Sequence, residues 1–230
     1  MIAFEDVSFA YLAERRVLDA LSLSLEPGLT LLLGPNGCGK STILKLAAGV
    51  EKPDRGRVLV KGLDLWKDEV EARRGLAYLP EQADITPYAT IGEVLGLVCR
   101  LRREPRKKGL EALSLFDLAD EMNSSIRELS LGQKKRALFA TALIGKPSHL
   151  LLDEPLDALD RGIQDTVLRW IGERARNGAT VVVVSHEIEP FAEMASRAAT
   201  VRDGKAVFSM LPKDRDGRLS RLEDLARGWA

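Results

Sequence analysis

The chain has 230 residues, 45% of them hydrophobic, and its 34 Lys and Arg balance its 34 Asp and Glu. This length suits one large domain or a domain with an inserted subdomain, and the neutral balance argues against nucleic acid as a direct partner. The two cysteines give no disulfide framework, so a cytosolic compartment is expected.

The first predicted elements are mainly strands. The stretches IAFEDVSFAY and LDALSLSLE alternate with period two, which predicts half-exposed antiparallel strands. The apolar run LTLLLG predicts a buried parallel strand, and STILKLAAGV predicts the helix that follows it. RVLVKG and GLAYLP predict two further short strands.

The pattern becomes helical from about residue 90 to residue 145. TIGEVLGLVCRLR, KKGLEALSLFDLA and a segment beginning near Ser130 predict three helices. Strands return at HLLLDEP and ATVVVVSHE, and ATVRDGKAVFSM predicts a hairpin that turns at Asp203 and Gly204. We therefore predict one domain over residues 1–230, with an α/β core at 1–87 and 146–230 and a helical subdomain at 88–145.

A glycine-rich loop lies between the predicted buried strand and its helix. The sequence GPNGCGKS, residues 34–41, satisfies G-x-x-x-x-G-K-[ST]. Its backbone N–H groups can surround a phosphate, Lys40 supplies a mobile positive charge and Ser41 can ligate Mg²⁺. The residues expected to contact the nucleotide here are Gly34, Pro35, Asn36, Gly37, Cys38, Gly39, Lys40, Ser41 and Thr42. The sequence thus predicts an α/β fold of the P-loop NTPase type, with a mostly parallel sheet, that binds a nucleoside triphosphate.

An acidic pair, Asp153 and Glu154, ends the predicted strand HLLLDEP. The carboxyl end of a parallel strand faces the ligand crevice. There Asp153 can hold Mg²⁺ and Glu154 can polarise the attacking water. A solvated loop end is the alternative for such a pair taken alone, and the phosphate loop favours the catalytic interpretation.

His186 follows the next predicted buried strand. A histidine at a strand end can simply cap the strand or pack there. Beside a γ-phosphate it can instead contact that phosphate and fix the water and Glu154. The combination with the acidic pair favours this functional interpretation.

A second potential anion site lies far along the chain, at LSLGQ, residues 129–133. A serine and a glycine open a predicted helix there, and a helix start presents N–H groups to an anion.

In this order the motifs resemble the nucleotide-binding subunit of an ATP-binding cassette (ABC) transporter, over nearly the whole chain. The matching motifs are Walker A at GPNGCGKST, the Q-loop at YLPEQ, the signature at LSLGQ, Walker B at HLLLDEP, the D-loop at DALD and the switch histidine at His186. The resemblance implies an ATPase that uses ATP and Mg²⁺. It implies Glu154, His186 and Gln82 as catalytic residues and Ser41, Gln82 and Asp153 as metal ligands.

The resemblance also assigns roles to two isolated residues. Tyr11 falls where the family has an aromatic residue that stacks on adenine, although it could be only an exposed aromatic at a strand end. Asp160 would accept hydrogen bonds across a subunit boundary, or it could be only the N-cap of the following helix.

The two potential phosphate-binding sites, the phosphate loop and LSLGQ, predict a dimer. The phosphate loop already surrounds one side of the nucleotide, so Ser130 and Gly132 are not expected to reach it within one subunit. Two subunits arranged head to tail, as in the family, would bring the signature residues Ser130, Gly132 and Gln133, with Asp160, to the partner's nucleotide. Both a homodimer and a heterodimer with a second cassette remain open. Leu131 departs from the usual glycine of the signature, which puts the strength of closure in question.

The family includes transporters and soluble ATPases, so transport is a separate inference. No apolar run approaches the ~20 residues that span a bilayer, and the N-terminal residues are not typical of a signal peptide. We therefore expect a cytoplasmic protein held peripherally at the membrane by separately encoded transmembrane subunits, with ADITPYATIGEVLGLVCRL as a candidate contact. The compact cassette favours an exporter over an importer, and a soluble iron–sulfur assembly ATPase remains an alternative. The guanine-recognition motif Asn-Lys-x-Asp is absent from the sequence, which argues against a GTPase.

The C-terminal leucines at 219, 222 and 225, with Trp229, predict a helix packed on its own domain.

Overall fold

The computed structural model describes residues 1–12, 15–82 and 87–227. In chain order its elements are β1 (Ile2–Leu12), β2 (Arg15–Leu25), β3 (Gly28–Leu33), α1 (Lys40–Ala48), β4 (Arg55–Val60), β5 (Leu63–Asp64), α2 (Glu69–Arg73), β6 (Leu76–Leu79), α3 (Ile91–Leu101), α4 (Arg106–Leu115), α5 (Leu131–Leu143), β7 (His149–Asp153), α6 (Arg161–Arg176), β8 (Thr180–Val184), α7 (Glu189–Ala192), β9 (Ala195–Arg202), β10 (Lys205–Met210) and α8 (Arg215–Arg227).

The central sheet has the strand order β10-β9-β3-β8-β7-β6. The five strands from β9 to β6 are parallel, and β10 is an antiparallel edge strand. The sequence explains this placement, because continuous Leu and Val runs suit strands that are buried on both faces. In β8, for example, Val181 and Val183 pack on one face, whereas Val182 and Val184 pack on the other.

Each face of this sheet carries its own hydrophobic core. On one face lies α1 with a second, antiparallel sheet of strand order β2-β1-β4-β5. On the other face lie α3, α4, α5, α6 and α8. This arrangement confirms the predicted fold class, since helices and a second sheet cover a mostly parallel central sheet.

The segment between β6 and β7 is mainly helical, and its helices begin where the sequence places caps. Thr90 and Glu93 form a reciprocal capping box at the start of α3, and Ser130 and Gln133 form another at the start of α5. Residues 83–86, part of the candidate membrane-subunit contact, lie outside the described residues. Within the described ranges, none of the helices combines the length and the apolar character needed to cross a membrane.

The C-terminal region follows the predicted pattern. Asp203 and Gly204 both have positive φ, 48° and 74°, and they join β9 to β10 in a two-residue hairpin turn. In α8, Leu222 is fully buried in the core, and the leucines at 219 and 225 pack against it. The helix therefore packs on its own domain, as predicted, and Trp229 lies outside the described residues.

Candidate active site

A cavity of about 920 Å³ lies at the carboxyl ends of β3, β7 and β8. This is the edge at which parallel α/β sheets bind ligands. It brings together twelve residues that the sequence predicted as binding or catalytic. They are Tyr11, Pro35, Asn36, Gly37, Cys38, Gly39, Lys40, Ser41, Thr42, Asp153, Glu154 and His186. Gly34 lines a smaller adjoining cavity of about 320 Å³ that shares Pro35, Lys40 and His186 with the first.

The phosphate loop leaves β3 in a conformation that only glycine allows. Gly34 has φ 146°, and a Cβ atom there would lie 2.5 Å from the carbonyl oxygen of Val201. The largely buried Lys40 begins α1, and its Nζ donates hydrogen bonds to the carbonyls of Gly34, at 2.8 Å, and Pro35, at 3.0 Å. A positive charge and the N-terminus of α1 thus meet at the cavity, which suits a phosphate group.

The aromatic ring of Tyr11 lines another part of the cavity. The Tyr11 ring is half exposed and meets Phe9 edge to face, with centroids 4.9 Å apart. The Lys45 ammonium lies 5.5 Å from the Tyr11 ring centroid. The Tyr11 hydroxyl is 3.5 Å from Thr42 Oγ1, so the ring lies within reach of the phosphate-loop helix. An exposed aromatic face beside a cavity can stack on a planar base.

Asp153 ends β7 with its carboxylate in the cavity wall and only 3% of the residue exposed. Burial raises the pKa of this carboxyl, and a hydrogen bond from the Ser41 side chain opposes that shift. Ser41 and Asp153 therefore present two oxygen ligands side by side. No group of three or more metal-ligating side chains occurs in the described ranges. Two protein oxygens nevertheless fit Mg²⁺, which usually completes its shell with water and substrate phosphates.

Glu154 follows β7 directly and lines the cavity beside His186. It has a left-handed backbone, with φ 45°, and is 4% exposed. Its Oε2 accepts a hydrogen bond of 3.1 Å from the backbone N–H of His186, and its Oε1 lies 3.4 Å from His186 Nε2. Burial raises the pKa of Glu154, and the His186 contacts oppose the shift. A carboxylate with a raised pKa is a better base for water.

Two adjacent residues of the Q-loop, Glu81 and Gln82, differ in their position relative to the cavity. Glu81 lines the cavity, whereas its neighbour Gln82 is not one of the lining residues in the described part of the chain. The carboxylate of Glu81 also acts on Asp153, since it raises the pKa of that carboxyl. The role of Gln82 stays a prediction. Sequence reasoning missed Glu81 because the motif alone does not tell which of two adjacent side chains faces the cavity.

The signature residues lie apart from the cavity of their own chain. Of the described residues that line it, none is Ser130, Gly132 or Gln133. Ser130 Oγ instead accepts a 3.2 Å hydrogen bond from Gln133 N, and Ser130 N donates one of 2.9 Å to Gln133 Oε1. The capped start of α5 is accessible from outside, where Leu131 is 66% exposed.

The D-loop touches the signature within one subunit. A Cβ atom on Gly132 would lie 2.8 Å from the carbonyl oxygen of Ala158, so only glycine fits. Asp160 caps α6, since its Oδ1 accepts a 3.1 Å hydrogen bond from Ile163 N. The structure thus contains the cap that the sequence left open as an alternative, and a contact of Asp160 across a subunit boundary stays a prediction.

Sequence reasoning also missed Lys135, which is only 4% exposed. A helical signal was available, because Lys135 shares a spacing of three, four and seven residues with Leu138, Phe139 and Ala142, which are all buried. Its three hydrogen bonds link α5 to the cavity edge.

Comparison with known proteins identifies the family of this chain. A protein-family model described as "ABC transporter" matches residues 18–157. The Fe(3+) ions import ATP-binding protein FbpC of Rhizobium etli is 35% identical over 221 residues, which cover 93% of this chain and 62% of the relative. This chain therefore spans less than two thirds of that relative's length.

Two further relatives carry different names. The Nod factor export ATP-binding protein I of Rhizobium etli is 32% identical, over 93% of this chain and 69% of its own. The cell division ATP-binding protein FtsE of Escherichia coli is 32% identical, over 89% and 96%. The similarity thus extends to proteins named for import, for export and for cell division.

Solved structures share the fold. A structure titled "Structure of ATP binding subunit of ABC transporter" superposes with a TM-score of 0.87 at 24% identity, over 99% of this chain and 98% of that one. The dimeric structure of MJ0796, titled a bacterial ABC transporter cassette, gives a TM-score of 0.80 at 27% identity, over 92% and 99%. The arrangement of both sheets and the helices is therefore shared along almost the whole chain.

Proposed function

Because this chain belongs to the ABC transporter family, as an ATP-binding subunit and ABC-type ATPase, we propose that it powers transport through ATP-driven head-to-tail dimerisation. The observation that carries the ATPase part of this proposal is the cavity in which the phosphate loop meets Asp153, Glu154 and His186. The cavity thus combines a loop that can bind phosphates, a buried carboxylate that can act as a base and an aromatic ring that can stack on a nucleotide base.

The chain's own residues account for nucleotide binding. We assign the triphosphate to the backbone N–H groups of residues 34–42 and to the Lys40 ammonium, and the adenine to the Tyr11 face. Ser41 Oγ and the Asp153 carboxylate would hold the Mg²⁺ that accompanies ATP. That ion, when bound, offsets the charge of the phosphates. Burial of Asp153 supports the assignment, since a bound cation compensates a buried carboxylate.

Hydrolysis is assigned to Glu154 and His186. The hydrogen bond from the His186 backbone N–H and the 3.4 Å approach of His186 Nε2 hold the Glu154 carboxylate in one orientation. Glu154 then orients the attacking water and takes up its proton on a carboxylate oxygen, which its raised pKa favours. The largely exposed His186 ring reaches toward the γ-phosphate and keeps Glu154 in place. Gln82 is proposed to sense the nucleotide through movement of the Q-loop.

A second subunit completes the site in this proposal. Ser130 and Gly132 lie at an accessible helix start, apart from their own cavity. A two-fold symmetric dimer would place them at the partner's γ-phosphate, and Asp160 at the boundary. The dimeric relative with 92% coverage of this chain supports such an assembly. A homodimer gives two equivalent sites, and a heterodimer with a second cassette is the alternative.

Transport requires a membrane partner, which we propose is separately encoded. The helical segment between β6 and β7 exposes apolar side chains that a partner could cover, among them Tyr88 (76% exposed) and Leu101 (75% exposed). The subunit would then lie peripherally on the cytoplasmic face of the membrane. We favour export for its compact cassette, with import as the alternative, since relatives are named for both directions.

Chain mixing tests the composite site. A Ser130→Arg chain and a Glu154→Gln chain should each hydrolyse ATP poorly alone, because each homodimer lacks one component at both sites. In a mixed dimer one site has an intact Glu154 and an intact partner signature. Random pairing should therefore restore about a quarter of wild-type turnover. If the mixture stays inactive while mixed dimers form, both components act within one chain and the head-to-tail arrangement is wrong.

Copurification tests the transport role. A tagged full-length chain, extracted from its native membranes with mild detergent, should carry a polytopic membrane protein with it. A Tyr88→Ser, Leu101→Ser double variant should lose this partner and keep basal ATP hydrolysis. Recovery of the chain with no membrane protein would refute the transport role and leave the ATPase assignment standing.

A further inference from the structure

Lys135 is a buried lysine that the proposed mechanism does not use. It lies in the second turn of α5, two residues after the signature sequence LSLGQ. Only 4% of the residue is exposed. A fully buried ammonium is rare unless polar partners surround it, so its contacts need a physical explanation.

Its ammonium joins three segments of the chain. Lys135 Nζ donates hydrogen bonds to the carbonyl oxygens of Pro80, at 3.4 Å, and Glu81, at 3.2 Å, which follow β6. It also donates to the carbonyl oxygen of Asp153, at 3.3 Å, at the end of β7. All three donors of the ammonium therefore bind backbone carbonyls, and none binds a side chain in the described structure.

Four carboxylates act electrostatically on this cation. Burial lowers the pKa of Lys135, and the carboxylates of Asp157, Asp153, Glu154 and Glu81 oppose that shift. Three of these four groups line the cavity, whereas Lys135 is not among the described lining residues. The lysine thus lies on the far side of the acidic lining residues and does not face the cavity.

The two carbonyls at 81 and 153 belong to residues whose side chains line the cavity. Strands β6 and β7 are paired only as far as Leu79 and Leu152. Beyond that point the ladder no longer fixes the distance between the two chain segments. The Lys135 hydrogen bonds continue the connection past the last ladder pair, one or two residues further along each segment.

We propose that Lys135 is a positioning residue, whose ammonium holds the start of the Q-loop against the end of β7 and so fixes Glu81 and Asp153 on one edge of the cavity. The inference rests on the proposed function, because this edge is where ATP hydrolysis is assigned. Since Lys135 lies on the helix that Ser130 begins, movement of the signature helix on dimerisation would act directly on the same edge.

Two substitutions distinguish the effect of the hydrogen-bond donors of Lys135 from the effect of its positive charge. Lys135→Met removes every donor and keeps an unbranched side chain, whereas Lys135→Gln is neutral and retains an amide N–H₂ that can bind two carbonyls. Lys108→Met is the matched control, because Lys108 also lies in a helix of this segment but makes an exposed 2.8 Å ion pair with Glu111. Full-length chains are compared by ATP affinity, steady-state kcat and KM, and hydrogen–deuterium exchange.

A positioning role predicts that loss of the Lys135 ammonium lowers kcat and leaves ATP affinity nearly unchanged. Lys135→Met should bind ATP within about twofold of wild type but lose about tenfold or more in kcat, because a displaced edge misplaces the reacting groups. The kcat of Lys135→Gln should be at least about threefold higher than that of Lys135→Met, because the glutamine amide still donates hydrogen bonds. Lys108→Met should stay within about twofold of wild type.

Exchange gives a readout that does not depend on activity. The peptide that contains Glu81 and Gln82 should exchange about tenfold faster in Lys135→Met, whereas a peptide from α1 should not change. If this variant does not fold, the same comparison is made with Lys135→Gln, which should exchange measurably faster at that peptide alone.

Several results would overturn the inference. A Lys135→Met chain with wild-type kcat and wild-type exchange at Glu81 would do so. Equal losses in Lys135→Met and Lys135→Gln would show that the charge matters and the hydrogen bonds do not. Parallel loss of ATP affinity and protection throughout the chain would show a general structural role. A wild-type chain without ATPase activity would instead refute the proposed function, and the exchange experiment would still test the positioning role.

Discussion

Replacement of Glu154 by glutamine tests the assigned base with little change in shape. The Glu154 oxygens receive one hydrogen bond from the His186 backbone and approach His186 Nε2 at 3.4 Å. A glutamine can accept the first through its carbonyl oxygen and donate to the ring nitrogen through its amide. The variant should therefore keep the site geometry and lose only the ability to take up a proton.

The expected kinetic effect is that of a lost general base. Such a loss lowers turnover by about 10²- to 10⁴-fold. At about 1.4 kcal/mol per factor of ten, this corresponds to about 3–5 kcal/mol in the activation barrier. ATP affinity should stay within about threefold of wild type, because the phosphate loop and Tyr11 are unchanged.

The same substitution should not destabilise the fold at neutral pH. Burial raises the pKa of Glu154 above its usual value of 4.5, so the folded chain binds more protons than the unfolded chain above that pH. Wild type therefore loses stability as pH rises through the folded pKa. Glutamine has no charge to bury, so the variant should be at least as stable near neutral pH, by urea denaturation.

The assay combines three measurements on purified chains. Phosphate release gives turnover, equilibrium binding gives ATP affinity, and light scattering gives the mass of the MgATP-bound species, which should be a dimer that persists. Glu111→Gln, on the surface of α4 with its side chain 48% exposed, is the matched control. Turnover near that of wild type in Glu154→Gln, or a loss of ATP binding that accompanies the loss of turnover, would refute the assigned role.

Three further predictions concern binding, the Q-loop and stability. Lys40→Ala should weaken ATP binding at least about tenfold, because a charge-assisted contact to phosphate is lost; equilibrium dialysis measures this, and unchanged affinity would contradict the phosphate-loop assignment. Glu81→Ala should lower kcat at least about threefold more than Gln82→Ala, because Glu81 lines the cavity; the opposite order in phosphate-release assays would favour the Gln82 prediction. Burial lowers the pKa of His149 from 6.5 to about 4, so the unfolded chain binds more protons between these values and stability falls as pH falls through them. The loss should reach about 2 kcal/mol at about pH 5 and be absent in His149→Gln; equal pH dependence of urea denaturation in both proteins would exclude it.

The predicted residues that the structure brings to one cavity were found from contiguous patterns. The phosphate loop, the acidic pair after β7 and the histidine after β8 each lie within a few residues of a strongly apolar strand. The carboxyl ends of parallel strands meet at one edge, so Lys40, Asp153 and His186 could be assigned to one cavity before the sheet was known. Helix starts were predictable for the same local reason, since Ser130 and Gln133 cap α5 from positions three residues apart.

Other properties depend on contacts between distant residues. Whether Glu81 or Gln82 faces the cavity depends on how the chain leaves β6, and a one-residue difference reverses the side of an extended chain. Lys135 is one of two adjacent lysines in the sequence, and its helical spacing with buried residues of α5 indicates the buried face. That its ammonium binds the carbonyls of Pro80, Glu81 and Asp153 depends on tertiary packing.

The sequence by itself determined the nucleotide chemistry of this protein, because phosphate binding requires backbone N–H groups, a lysine and a hydroxyl at fixed local spacing. Only the tertiary structure decided which groups pack next to the residues of the site. It placed the Lys135 ammonium against the carbonyls of Pro80, Glu81 and Asp153 and brought Gly132 against Ala158. It also kept the signature residues out of the described lining of their own cavity. These relations depend on the packing of α5 between β6, β7 and the D-loop, which no local pattern encodes.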